Sequence, residues 1–327
     1  MKRLKNIFSV FLRIAISIAL LVLLFKFNRI DTRELISDIK SANPVFLLAG
    51  LATFIFINLL ALFRWIMLLN TAGIKVPLKK IISSYAGGAF FSIFLPSTIG
   101  GDLVRAADLA GHTKKTKEVI ATIFLDRLSG YIGLVLVVLP AIFLGKHLVL
   151  DKVVFSSVFS IIIFLVIILL VLFNNSVYSK ISGLLAKNTG KLSQMIKNIH
   201  QEIHVFRNHK RLIFLNLGIS FLIQFLFPVS VFFIGLALGL SVDFIYFLIF
   251  LPIISAVTLL PISIGGLGLR EGLFVLYFGK AGVIKQTALA MSLLSFSFVI
   301  FYAAIGGLIY VLTVRYRRVQ PDKPLSV

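Results

Sequence analysis

From Val153 to Phe173 no residue is charged, and the run is long enough to cross a bilayer as a helix. Inside hydrocarbon each backbone N–H and C=O must be satisfied within the protein, and a helix does this within one segment. Five more segments read the same way: Ile7–Phe25, Pro44–Leu69, Val119–Leu144, Leu212–Leu238 and Thr287–Val314. Two shorter apolar pieces, 81–95 and 244–260, each stop at a proline, Pro96 and Pro261. The predicted fold class is an all-α polytopic membrane protein. Ile7–Phe25 follows the basic stretch Lys2-Arg3-Leu4-Lys5, as in a signal peptide. Phe25-Lys26-Phe27-Asn28 has no small-residue cleavage site, so the segment reads as a retained helix.

Composition agrees. Hydrophobic residues make up 59% of the 327 and charged residues 14%, which excludes both a soluble globular domain and a disordered chain. There is no cysteine, so disulfides, thiolate nucleophiles and Cys-ligated metals are excluded. The formal charge of +21 points to loops lying against anionic headgroups, with no nucleic-acid partner. Between 174 and 211 the apolar residues fall at helical spacing among Lys180, Lys187, Lys191, Lys197, Arg207, Lys210 and Arg211, predicting an amphipathic interfacial helix.

The chain repeats itself. Residues 95–105 read Leu-Pro-Ser-Thr-Ile-Gly-Gly-Asp-Leu-Val-Arg, and residues 260–270 read Leu-Pro-Ile-Ser-Ile-Gly-Gly-Leu-Gly-Leu-Arg. The same offset of 165 positions lays Pro44–Leu69 and Val119–Leu144 over the sixth and last spans. This predicts two four-element halves, 1–150 and 151–327. If the short pieces belong to re-entrant hairpins, at 81–110 and 244–279, each half crosses three times and the second half is inverted. Six crossing helices and two broken hairpins then put both termini and most Lys and Arg on the cytoplasmic side of the cell's inner membrane.

Broken backbone at membrane depth survives only where it is buried in protein or lines a wet cavity. Gly100, Gly101, Gly265, Gly266 and Gly268 allow sharp turns and close approach to the backbone. Each outgoing half-helix would present free N–H groups and a positive dipole end, which suits phosphate. Arg105 and Arg270 lie a turn further on, and an arginine fork holds phosphate bidentately. Ser97, Thr98 and Ser263 supply hydroxyls beside these turns. The plainer alternative is packing and local pairing: Arg105 with Asp102 or Asp108, and Arg270 with Glu271.

Asp126 and Arg127 lie deep in the fourth span, where charges face an interior. Asp126 either meets a cationic headgroup, relays a proton, or neutralises Arg127 or Arg105. Arg64 reads as snorkelling from the end of its span, and Asn58 and Gln224 read as polar glue between helices. His200, His204 and His209 lack a carboxylate pattern, so no metal site is predicted. No hydrolase elbow, zinc-protease motif or phosphate loop occurs, and Gly265-Gly266-Leu267-Gly268 has no βαβ surroundings. No catalytic residue and no cofactor are therefore predicted.

Three motifs in order carry a family resemblance: 96–105, Leu125-Asp-Arg-Leu-Ser-Gly130, and Pro261-Ile-Ser-Ile-Gly-Gly-Leu-Gly-Leu-Arg-Glu-Gly272. Together they resemble the lysylphosphatidylglycerol synthase transmembrane, flippase-like family. In two-part members such a membrane domain is joined to a cytoplasmic aminoacyl-transferase and moves the aminoacylated lipid. This sequence runs out at Asp322-Lys-Pro-Leu-Ser-Val327, so the resemblance is to the membrane part and lipid aminoacylation is not expected. It implies a translocase for a membrane phospholipid or polyprenyl-phosphate-type lipid, working beside a separate lipid-modifying enzyme or as a homo-oligomer. The alternatives are a membrane-embedded enzyme or accessory subunit of lipid or glycan assembly, related to glycosyltransferases, and a scaffold recruiting a soluble partner through 174–211. Under the translocase reading Arg105 and Arg270 hold the phosphate, while Asp102, Asp126, Arg127 and Glu271 meet the rest of the headgroup or tune the arginines.

Overall fold

The structure is a computed structural model that describes residues 12, 15–26, 30–95, 98–145, 151–173, 209–258 and 263–319. These residues are helical, with short connections and no strand among them. The helices are α1 (Ala15–Lys26), α2 (Thr32–Ser41), α3 (Pro44–Thr71), α4 (Leu78–Phe94), α5 (Thr98–Thr113), α6 (Thr116–Leu144), α7 (Lys152–Phe173), α8 (Lys210–Ala237), α9 (Phe244–Thr258), α10 (Leu269–Lys280) and α11 (Lys285–Val319). A single 3₁₀ turn, Ile264–Gly266, precedes α10.

Among the described residues, four helices are long and apolar enough to cross a membrane: α3, α6, α8 and the Lys285–Thr313 part of α11. α7 is a further, predominantly apolar helix of 22 residues, while α1 and α9 are shorter apolar helices. The outward faces are greasy, with Leu48, Phe56, Leu59, Phe63, Phe214 and Leu308 all exposed, as lipid contact requires. Local signals set the boundaries. Asn43 caps α3 by accepting from the Val45 N–H at 2.9 Å, and Pro44 opens the helix. The interfacial helix expected at 174–211 lies outside the described residues up to 208, and Lys210 and Arg211 instead begin α8.

Small residues let the helices approach closely. α3 and α8 run antiparallel: the Asn43 N–H donates to Ala237 O at 2.8 Å, and Ser230 Oγ donates to Gly50 O at 2.8 Å. α4 and α5 form an antiparallel helical hairpin. Lys80 meets Asp108 at its mouth, Ser84 Oγ donates to the Arg105 carbonyl at 3.2 Å, and Gly88 faces Gly101 nearer the tip. A Cβ on Gly101 would lie 2.3 Å from Gly88 O, so glycine is required there. Lys115 Nζ donates to Gly73 O at 3.1 Å, which puts the end of α3 and the start of α6 beside each other. α9 and α10 form the corresponding second hairpin, with Phe247 and Phe250 against Phe278 and Tyr277. α11 lies along α4, where its Gly306 and Gly307 sit against Ala86 and Phe90.

The main core gathers around Phe247, Phe250, Phe274 and Phe278, with contributions from α6, α8 and α11. A smaller cluster around Trp65, Leu69, Ile81, Leu109 and Val119 locks the base of the first hairpin onto α3 and α6. Beside this second cluster the packing opens into a cavity.

Candidate functional site

The cavity has a volume of about 420 Å³ and lies among α3, α4, α5, α6, α8, α9 and α11. Its charged wall is built from α3, α5 and α6. Measured along each helix at 1.5 Å per residue, Arg64, Arg105 and Asp126 stand ~10–15 Å in from the ends Thr71, Thr113 and Thr116. That distance is a third to a half of the thickness of a hydrocarbon core, about 30 Å.

Five charged side chains form one network. Arg64 Nε donates to Asp126 Oδ1 at 2.9 Å, and Arg64 Nη1 to Ser220 Oγ of α8 at 2.8 Å. Arg105 Nη2 reaches Asp126 Oδ2 at 3.4 Å and Asp102 Oδ1 at 3.2 Å. Arg127 Nε donates to Asp102 Oδ2 at 2.7 Å. Buried charges persist only when paired in this manner. The Arg105 guanidinium also lies over two rings, 4.4 Å from the Trp65 centroid and 5.4 Å from that of Tyr85. Trp65 is itself fixed by donating Nε1–H to Thr122 Oγ1 at 3.3 Å. Asn58, Ser92, Gln224, Tyr131 and Tyr302 complete the polar lining.

The expected residues divide in two. Gly101, Asp102, Arg105, Asp126 and Arg127 are brought together on the cavity wall. Gly100 is buried against Leu95, at the root of the hairpin tip. Ser97 and the side chain of Thr98 lie outside the described residues. Of the alternatives open for Arg105, Asp102 and Asp126 are its partners, while Asp108 pairs with Lys80. Asp126, shared by two arginines, does the neutralising work that the plainer reading gave it.

The second glycine cluster is a separate place. Arg270 pairs with Glu271, donates Nε–H to Ser292 Oγ at 3.3 Å, and lies 4.2 Å over the Phe296 ring. Glu271 is fully buried and accepts from the Gly268 N–H at 2.6 Å, so its own carboxylate occupies the helix N-terminus that the sequence offered to phosphate. Gly265, Gly266 and Gly268 all have positive φ, at 58°, 77° and 80°, which explains three glycines in four residues. Gly268 backs onto Ser17 and Leu20 of α1. Ser263 is buried and its Oγ has no hydrogen-bond partner. None of these residues lines the cavity, which meets α11 at Val299, Tyr302 and Ala303, three or more residues beyond Ser292 and Phe296.

Two members of the site were misjudged from sequence. Arg64 does not snorkel: it is 6% exposed and turns inward to Asp126. Tyr85 was passed over, although an aromatic on the face of a glycine-rich half-helix was a usable signal. Gln224 does act as glue, donating to the Gly130 carbonyl of α6 at 3.1 Å, and also lines the cavity. Among the described residues no group of His, Asp and Glu is arranged to hold a metal ion.

Residues 10–307 match the family described as the lysylphosphatidylglycerol synthase TM region. A UPF0104 membrane protein of Methanothermobacter thermautotrophicus is 23% identical over 276 residues, covering 79% of this chain and 82% of the relative.

Proposed function

Starting from a chain that belongs to the lysylphosphatidylglycerol synthase transmembrane family, we propose that it is a flippase-like translocase for a phosphate-bearing lipid in the cytoplasmic membrane. The observation that carries this reading is the arginine-rich cavity, held by paired charges among apolar helices and walled on one side by a helical hairpin. The phosphate is held by Arg105 and Arg127, with backbone access at Gly101. The acyl tails stay in the bilayer. Asp102 and Asp126 position the arginines.

In this reading the two halves form an inverted repeat and both hairpins are re-entrant. The antiparallel pairing of α3 with α8, which sets Asn43 beside Ala237, supports the inversion. Helix order supports the repeat, since α3 to α6 and α8 to α11 follow each other at nearly constant offset. Arg270, Glu271, Ser263, Gly265, Gly266 and Gly268 then form the matching site of the second hairpin, closed here by the Glu271 carboxylate. Lipid moves as the two hairpins open in turn, by the rocking of one repeat against the other that such architectures allow. Both termini face the cytoplasm.

The test is lipid movement in proteoliposomes containing the purified chain, read as loss of a headgroup-labelled phospholipid from the outer leaflet. Arg105→Ala is expected to abolish protein-dependent movement while the variant still purifies as a single monodisperse species. Wild-type movement by a well-folded Arg105→Ala protein removes the proposed role of the cavity. Appearance of a chemically new lipid in the same vesicles would assign the site to an enzyme.

A further inference from the structure

The charge balance of the cavity selects among headgroups, an inference that rests on the translocase reading above. Three arginines face two aspartates, so the network carries one net positive charge. Each carboxylate already faces two arginines. Asp126 accepts from Arg64 and Arg105, and Asp102 accepts from Arg105 and Arg127. Donors, in contrast, are in surplus. Arg105 Nε is buried without a hydrogen-bond partner, and a buried N–H of that kind is costly until an acceptor arrives. The Arg127 side chain is 41% exposed, the most open of the five. Asn58, Gln224 and three tyrosines add neutral polar groups and no further charge.

We propose that the cavity takes the head of a lipid bearing one net negative charge, a phosphodiester without a compensating ammonium group. It discriminates against zwitterionic and aminoacylated heads. A single negative charge brings the site to neutrality, which a low-dielectric interior favours. A zwitterion leaves the site positive and its ammonium without a carboxylate. An aminoacylated head with a net positive charge adds like charge to like and would have to break one of the aspartate pairs. One unit charge about 8 Å from the network, at an effective dielectric of ~20, is worth roughly 30-fold in affinity.

The experiment uses the chain's single tryptophan as its reporter, because Trp65 stacks on Arg105 at the edge of the site. The full chain in neutral detergent is titrated with dihexanoyl forms of phosphatidylglycerol, phosphatidylcholine and lysyl-phosphatidylglycerol, and with tail-less glycerophosphoglycerol. Phosphatidylglycerol is expected to bind roughly 30-fold tighter than phosphatidylcholine, and by a larger factor than lysyl-phosphatidylglycerol, whose head differs by two unit charges. Arg127→Gln, which brings the network to zero net charge, is expected to shrink that preference to within about threefold. Equal affinities for the three lipids, or a preference for the lysylated one, overturn the proposal, as does full preference in Arg127→Gln. If Arg127→Gln fails to fold, Asp102→Asn replaces it: a net charge of two is expected to tighten phosphatidylglycerol binding, and unchanged or weaker binding overturns the proposal. Glycerophosphoglycerol binding as tightly as phosphatidylglycerol would make the ligand a free phosphodiester and overturn the lipid source. The two readings fail separately. Charge-selective binding without movement in proteoliposomes removes the translocase and leaves the headgroup class; movement without charge preference does the reverse.

Discussion

Asp126→Asn keeps the size of the side chain and deletes its charge. Asp126 is 6% exposed and stands between Arg64 and Arg105, which are 6% and 5% exposed. Its N···O contacts of 2.9 and 3.4 Å put charge centres about 4–5 Å apart, worth ~3–4 kcal/mol each at an effective dielectric of ~20. Against their sum stands the relief of no longer burying a carboxylate, which is several kcal/mol. The net loss expected is ~3–5 kcal/mol, the range for removing one side of a buried pair. Removing Arg64 as well, as Arg64→Met in the Asp126→Asn background, returns the network to its original net charge. The double variant is therefore expected to be ~1–3 kcal/mol more stable than the two single losses added together. Equilibrium unfolding in mixed micelles, followed by the emission of the buried Trp65, measures all four corners of this cycle. A loss below ~1 kcal/mol for Asp126→Asn, together with an additive double variant, would refute the network as described.

Three further outcomes follow from the packing and the charges. Gly101→Ala is expected to cost ~1–3 kcal/mol in the same assay, because its Cβ would strike the Gly88 carbonyl, which is backbone and cannot turn aside; Gly111→Ala, with open space around it, is expected to be neutral or to stabilise by up to ~1 kcal/mol. Glu271→Ala leaves Arg270 without its carboxylate and Gly268 N–H without its cap, so a loss of ~3–5 kcal/mol is expected, with faster amide exchange at 265–268. The Asp151 carboxyl, in the connection before α7, is held below its ordinary value of 3.8, first by Lys280 and then by the Val154 and Val153 N–H groups. Its contribution is present above that ordinary value and lost as pH falls through the lower folded value. The Asp151 side chain keeps 36% of its exposure, so solvent screens the pair and Asp151→Asn is expected to flatten the acid limb of the stability profile only slightly.

The helices were largely legible in the residues. Hydropathy placed α3, α6, α7, α8 and α11, and the two prolines with their glycines placed the breaks that end α4 and α9. These signals are local: a run of apolar residues and a residue without an N–H act on their own segment. The site was legible only in part. Asp102, Arg105, Asp126 and Arg127 stood out because a charge inside an apolar span is costly and needs a reason. Arg64 broke the same rule but sat near enough to the end of its span to be excused. Glu271 was expected either to face a headgroup or to pair with Arg270, and it pairs with Arg270 while capping its own helix.

What the sequence alone determined was a bundle of apolar helices with a glycine-broken turn in each half, and buried cations that had to find partners. Which partners they found was decided by the tertiary structure. Arg64 and Asp126 are 62 positions apart, and Arg64 and Ser220 are 156 apart. An ion pair or hydrogen bond depends on ångström-scale distance, and that distance exists only once α3, α5, α6 and α8 have packed. The two Arg motifs share six of their eleven residues, yet one opens onto a cavity and the other is closed by its neighbouring glutamate. The difference lies in what each helix packs against, which no local pattern encodes.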